Sequence, residues 1–323
     1  MIGIDGSCVS MGDEKELVEE FGRSSSKENN SRFPIARVVF GFTLDTMTVI
    51  GHKIGSYKTG ENKLFSDLML AFSVGDLIIG DRRYAGAKLY VEYTTAGLEF
   101  ITRAHQRLKV ESLKIVEVLD KNDIIVELPI SDVYRRKDPN LPNIILVRAI
   151  KTEATIRGKK ELFWLITSLL DAKKYPGQEI KLLYKKRWKV EGLIEEIKVW
   201  LSADILRSKT KDGIYKELYA RIIAFNLIHW LILKAGKKHQ KDIERISVAA
   251  TLRLTASYSL KISAAPAWML PSLYEELLRK IAYSKIPYRP GRNEPRLKKR
   301  ETKHYSALKI SRAEWRVMNE AVS

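Results

Sequence analysis

Short apolar β-rich runs alternate with helical stretches over the first hundred residues, and this alternation predicts a protein of the α/β class. A block of β runs then fills residues 104–176, and helices follow Pro176-Gly177. These two changes of texture predict an inserted β subdomain and a helical C-terminal region. Taken in order, 35–42 and 49–54 are β-rich, and Leu44-Asp45-Thr46-Met47-Thr48 between them suits a hairpin turn. Residues 23–31 carry no apolar period and predict a loop. A helix is expected over 63–72, a buried strand over 77–79 ending at Gly80-Asp81, and a second helix over 85–93. In the β block, strands are expected at 113–119, 123–129, 143–151 and 162–167, separated by polar turns such as 135–140. Helices are expected near 178–202, 212–235, 240–260 and 268–283, followed by a basic tail that includes Arg292, Arg296 and Lys299.

The 323 residues carry 57 Lys and Arg against 39 Asp and Glu, a net charge of +18. A surface so basic repels itself and points to a polyanionic partner. Nucleic acid comes first, because each phosphate neutralised releases counterions; an anionic membrane surface is the alternative. The single cysteine, Cys8, excludes an internal disulfide framework and a Cys-rich zinc site, and the five histidines have no metal-ligand spacing. The apolar run 222–233 contains Asn226 and His229 and is expected to be a core helix, too short and too polar to span a bilayer. The opening Met1-Ile2-Gly3-Ile4-Asp5 has no signal-peptide pattern, so a cytoplasmic protein is expected.

The segment from Tyr184 to Lys198 carries the chemistry. At about 100° per residue, Tyr184, Arg187, Glu191 and Lys198 fall on one helical stripe, bordered by an apolar arc of Leu183, Val190, Leu193, Ile194 and Ile197. A carboxylate flanked by two cations and a phenol at the edge of a core suits phosphate chemistry. The same stripe also suits a solvated face with intrahelical ion pairs. Asp5 after Ile2-Gly3-Ile4 and Asp81 after Leu77-Ile78-Ile79-Gly80 each stand at the expected C-terminal end of a buried strand, where open α/β sheets bind ligands. Together with Glu191 they could hold two divalent ions that act on a phosphodiester. Turn carboxylates are the plain alternative for each aspartate.

The spacing Tyr184, Arg187, Glu191, Lys198 resembles the Tyr-Arg-Glu-Lys signature of bacterial insertion-sequence DDE transposases, a cut-and-paste group. Asp5-Gly6-Ser7 looks like that family's first-aspartate motif and Asp81-Arg82-Arg83-Tyr84 like its second; Tyr57-Lys58-Thr59-Gly60-Glu61 and the Arg-Pro-Gly-Arg that ends at Arg292 are also similar. The resemblance implies a ribonuclease-H-like mixed sheet flanked by helices, begun by residues 1–103, completed by 177–236 and interrupted by the β subdomain 104–176, with 237–323 a helical basic region. It implies that Asp5, Asp81 and Glu191 are catalytic ligands of two Mg2+ ions, with Mn2+ able to substitute. Tyr184, Arg187 and Lys198 would then grip phosphates of the transposon end, and Arg292, Arg296 and Lys299 DNA phosphates. The partners implied are double-stranded DNA, both terminal inverted repeats and target, and a second copy of the chain on DNA, with no membrane. The reactions implied are hydrolysis at the end, hairpin formation and resolution, and strand transfer, in a nucleoid-associated prokaryotic protein.

Trp164 resembles the family tryptophan that stacks on a flipped base, a contact worth about 1 to 3 kcal/mol; a strand-core tryptophan is the alternative. The run Gly55 to Gly60 has two glycines of a phosphate loop, but Glu61-Asn62 stand where Lys and Ser or Thr are needed. Only three residues precede Ile4-Asp5, whereas the family has an N-terminal recognition region, so truncation is expected. A truncated or domesticated relative that binds DNA without productive transposition is therefore the alternative function.

Overall fold

In the computed structural model, which describes residues 1–23, 33–156, 159–287 and 317–318, the early alternation becomes five strands and three α-helices. Strands β1 (Ile2–Met11), β2 (Ile35–Thr43) and β3 (Thr48–Ser56) come first, with α1 (Lys15–Phe21) after β1. Next come α2 (Glu61–Met69), β4 (Leu77–Gly80), a 3₁₀ turn (Arg82–Tyr84), α3 (Ala87–Thr95) and β5 (Glu99–Arg103). The β block supplies β6 (Lys114–Asp120), β7 (Asp123–Pro129), the short helix α4 (Asp132–Lys137), β8 (Ile144–Ile156) and β9 (Lys159–Thr167). Strand β5 lies outside the expected strands. Most of the expected loop at 23–31, and the basic tail with Arg292, Arg296 and Lys299, lie outside the described residues.

Two compact units arise, one of residues 1–8 and 36–195, the other of 9–35 and 196–323. In the first, the strand order is β3-β2-β1-β4-β5-β9-β8-β7-β6. Strands β1, β4 and β5 are parallel neighbours, β2 and β3 form an antiparallel hairpin, and β5 to β6 continue antiparallel through β9, β8 and β7. This mixed sheet flanked by helices is the ribonuclease-H-like α/β arrangement expected. The β block joins the same sheet through β9, which pairs with β5.

Alternation along each strand assigns two faces. Ile2 and Ile4 of β1, Ile78 of β4, Phe100 of β5 and Ile166 of β9 belong to one core with Leu64, Phe65, Leu89, Tyr90 and Tyr93 of α2 and α3. Gly3 lies on the opposite face, where a Cβ would come within 2.4 Å of Val190 Cγ2; helix α6 (Trp188–Trp200) therefore covers that face, and glycine permits the close approach. Beneath the β block, fully buried Arg148 donates to both carboxylate oxygens of Asp123 (2.7 and 2.5 Å) and to the carbonyl of Tyr175 (2.7 Å).

The second unit holds α7 (Lys211–His239), α8 (Val248–Ala264) and α9 (Leu270–Tyr283), with a short strand β10 (Ile205–Leu206) parallel to the end of β1. Helix α7 has 29 residues and is long and apolar enough, by length and composition, to cross a membrane. The expectation of a run too short to span is corrected to that extent, because the helical period continues well past 222–233 on both sides. As expected of a core helix, Ile228, Leu231, Ile232 and Ala235 pack with Tyr258 of α8 and Leu277, Leu278 and Ile281 of α9. His229, which makes the run polar, is buried with Nε2 3.0 Å from Glu196 Oε2.

Candidate active site

Asp81 directly follows β4 and caps the 3₁₀ turn, its Oδ1 accepting from the amide of Arg83 at 2.8 Å, as expected of a carboxylate before a helical turn. Asp5 is not at the end of a short strand, as the sequence suggested, but inside β1, which continues to Met11. Pairing of β1 with β4 stops at Gly3, opposite Ile79. Two residues further, the same register sets Asp5 level with Asp81 where the strands part. The strand end relevant to the site is thus an end of pairing, which burial patterns alone do not mark.

The stripe from Tyr184 to Lys198 needs a second correction. The chain forms two helices, α5 (Gly177–Lys185) and α6, joined by a tightened turn. The amides of Lys186, Arg187, Lys189 and Val190 bond to carbonyls three residues back. Such 3₁₀ bonding turns the chain by about 120° per residue, so one wheel of constant pitch does not describe it. The apolar arc survives, with Val190, Leu193, Ile194 and Ile197 buried. Tyr184 is buried at the end of α5, Arg187 is mostly buried in the turn, and exposed Glu191 stands in the first turn of α6. Lys198 is about two turns further along α6, in its last turn.

Arg187 Nη1 donates to Glu191 Oε1 at 2.7 Å, so part of the alternative reading, an ion pair between near neighbours, is present. The charges nevertheless act on one another across elements. Burial pushes the Asp5 carboxyl up to about 6; its bond from the Gly6 amide and the charge of Arg187 oppose the rise, while the negative charges of Asp81 and Glu191 add to it. Burial likewise pushes Tyr184 up to about 12, against the pull of Arg187 and with the push of Asp81. Asp5, Asp81, Glu191, Arg187 and Tyr184 therefore share one electrostatic environment.

Convergent carboxylates of like charge are the donor set that a divalent cation stabilises. Among the described residues, however, no three Asp, Glu, His or Cys side chains stand close enough together to hold an ion. Glu191 is engaged by Arg187. In kind and charge the residues fit a metal; in position, Glu191 has to leave Arg187 to complete the set.

Trp164 projects on the face of β9 opposite that of Phe163, packs partly buried against the core that the sheet shares with α2 and α3, donates its indole N–H to Glu111 at 2.8 Å and lies under Lys151. Asp5 is on the other face, with Gly3. Phe163 is the neighbouring aromatic on that side, with Arg103 over its ring at 4.4 Å and the Tyr184 ring 6.1 Å away. The period of two along a strand makes a one-residue difference decisive.

Several residues near the site were missed. Glu61, noticed only as an obstacle to a phosphate loop, is nearly buried against Gly6 and accepts from Arg83 Nη1 at 2.7 Å. Its place in the segment 57–61 was the available signal. A cavity of about 600 Å3 beside α5 is lined by Lys151 and Thr152 of β8 and by Lys181, Leu182 and Lys185 of α5. Lys181 and Lys185 repeat at one helical turn, a pattern visible in the sequence once α5 is known.

Residues 2–227 match the family described as "Transposase DDE domain", and the chain belongs to that family. It is similar to the transposase InsG for insertion sequence element IS4 of Escherichia coli (strain K12), 26% identical over 318 residues, which covers 97% of this chain and 71% of that one. It also resembles the "Probable transposase for insertion sequence element IS5377" of Geobacillus stearothermophilus, 29% identical over 83 residues, 26% of this chain and 21% of the relative. Among solved structures it is similar to piggyBac transposase in a synaptic complex with hairpin DNA, with a TM-score of 0.46, 11% identity, and coverage of 91% of this chain and 59% of that one. The chain is thus a DDE transposase of the insertion-sequence kind. The family acts on DNA and generally uses divalent metal ions.

Proposed function

We propose that this protein cleaves and joins DNA at the ends of an insertion sequence, with Asp5, Asp81 and Glu191 as ligands of two divalent ions, Mg2+ or in its place Mn2+. The observation that carries the proposal is the shared environment of these carboxylates: Asp81 and Glu191 both raise the carboxyl of Asp5, which burial alone already destabilises as an anion. Bound ions would supply the positive charge that activates a water or 3′-hydroxyl and stabilises the leaving oxygen. The chain's own residues do the rest. Arg187, released from Glu191, holds a phosphate of the transposon end, Tyr184 donates its phenol from the buried end of α5, and Lys198 binds the backbone two turns away. The resemblance to the Tyr-Arg-Glu-Lys signature and the net charge of +18 support these roles. The partners are terminal inverted repeats and target DNA, with Arg292, Arg296 and Lys299 on DNA phosphates and a second copy of the chain pairing the ends in the nucleoid. On this reading 104–176 interrupts a catalytic core made of 1–103 and 177–236, and 237–323 serves DNA binding.

A second reading, a protein that binds DNA without transposing it, is favoured by one observation, the engagement of Glu191 by Arg187. Metal dependence separates the two. Element-end DNA is incubated with Mg2+ or Mn2+ and the parent, Asp81→Asn or Glu191→Gln protein, and DNA binding is followed by fluorescence anisotropy. The proposal expects cleavage by the parent alone and similar affinity for all three. Salt-sensitive binding with no cleavage in either metal establishes the second reading, and a variant that cleaves at the parent rate overturns the site assignment.

A further inference from the structure

Glu61 opens α2, where a carboxylate complements the helix dipole, but its environment goes beyond that role. Its side chain is 11% exposed. A Cβ on Gly6 would meet its Cδ at 2.8 Å and its Oε2 at 2.9 Å, so the carboxylate packs directly on the backbone next to Asp5. Its Oε1 accepts from Arg83, two residues beyond Asp81, at 2.7 Å, and lies 3.7 Å from Arg37 Nε on β2. One carboxylate thereby touches the segment of each aspartate. Arg37 is itself held, donating to the carbonyl of Thr59 at 2.7 Å with its guanidinium over the Tyr57 ring.

Tyr84 closes the same layer. It is fully buried, edge-on to Phe65, and its hydroxyl has no hydrogen-bond partner among the described residues. The charges that act on this phenol are, in order, those of Glu61, Asp5 and Asp81. A buried donor without an acceptor is costly, and where one persists beside three carboxylates it is available to those oxygens or to water among them.

We propose that Glu61 is a positioning residue: it fastens the Asp81 turn, through Arg83, to β1 beside Asp5, and the Tyr84 hydroxyl is the hydrogen-bond donor of the same layer. The role assigned to Glu61 is that of a support and not of a ligand, because Oε1 is engaged by Arg83 and faces Arg37. Its effect on metal affinity is that of a supporting residue behind the ligands. This inference rests on the reading of Asp5 and Asp81 as metal ligands.

The test uses the full chain without DNA and three measurements on the parent, Glu61→Gln and Tyr84→Phe: thermal unfolding, Mn2+ uptake by electron paramagnetic resonance, and hydrogen exchange of peptides around 3–8 and 79–85. In Glu61→Gln, exchange is expected to speed up in both peptides but not in β8, with Mn2+ affinity falling about tenfold, the usual size for a residue supporting metal ligands. Tyr84→Phe, which removes only the unpartnered oxygen, is expected to melt no lower than the parent yet bind Mn2+ more weakly. Unchanged exchange in both peptides overturns the proposal. So does a loss of Mn2+ affinity that appears only with general unfolding. A parent that takes up no Mn2+ counts against the metal-dependent reading of the site, while the exchange comparison still decides the role of Glu61.

Discussion

Replacing Asp5 by asparagine is expected to make the folded protein more stable at neutral pH, although it removes a proposed metal ligand. Burial, with Asp81 and Glu191 adding their charges, raises the folded-state carboxyl from 3.8 to about 6. A group raised in this way contributes stability that is fully present below its unfolded pKa and is lost as pH rises through the folded value. At pH 7.5 the parent holds a buried carboxylate that it would rather protonate. The shift of about two pKa units corresponds to about 3 kcal/mol at 1.36 kcal/mol per unit, and partial solvent access of the side chain lowers this to about 2 kcal/mol. Asparagine keeps the oxygen that accepts the 2.7 Å bond from the Gly6 amide and has no charge to desolvate. Urea unfolding of parent and Asp5→Asn between pH 4 and 8 measures the difference. The variant's advantage should be largest at pH 7 to 8 and shrink steadily as pH falls through 6 towards 4. Adding Mn2+ should stabilise the parent and leave the variant unaffected. A variant that is less stable at pH 7.5, or an advantage that does not change with pH, refutes the electrostatic reasoning.

Three further outcomes follow from the packing. Arg148→Met leaves Asp123 buried without its guanidinium and should cost about 3 to 5 kcal/mol in denaturant unfolding, as a buried pair broken on one side does. Gly3→Ala puts a methyl 2.4 Å from Val190 Cγ2 and should destabilise by about 1 to 3 kcal/mol, with the shift read in the same assay; no loss means that α6 yields without strain. Lys181→Glu with Lys185→Glu, which reverses two cations of the groove beside α5, should weaken binding to duplex DNA and flatten the log affinity against log salt plot by about two units of slope. An unchanged slope in that titration would remove the groove from the DNA path.

Much of this site was legible because its chemistry is local in sequence. Asp81-Arg82-Arg83-Tyr84 caps its own turn through a bond from two residues on, and Glu191 meets Arg187 four residues earlier, so both could be anticipated from neighbours alone. Strand β5 escaped because Glu99–Arg103 is short and only Phe100 and Ile101 of its five residues are apolar; its identity comes from pairing with β4 and β9. The basic tail contributed net charge to the argument but lies outside the described residues.

The sequence by itself determined the α/β class, the hairpin β2–β3, the carboxylates and cations available for phosphate chemistry, and their spacing, because helix and strand periods act over a few residues. Tertiary structure alone decided which face each strand turns to that chemistry. The pairing of β9 with β5 and β8 turns Phe163 towards Tyr184 and Trp164 away from it, a choice between adjacent residues that alternation leaves open until register is fixed. It also decided that Glu61, 55 residues after Gly6, lies against it, since a contact across that interval is set by the packing of α2 on the sheet and by no local period.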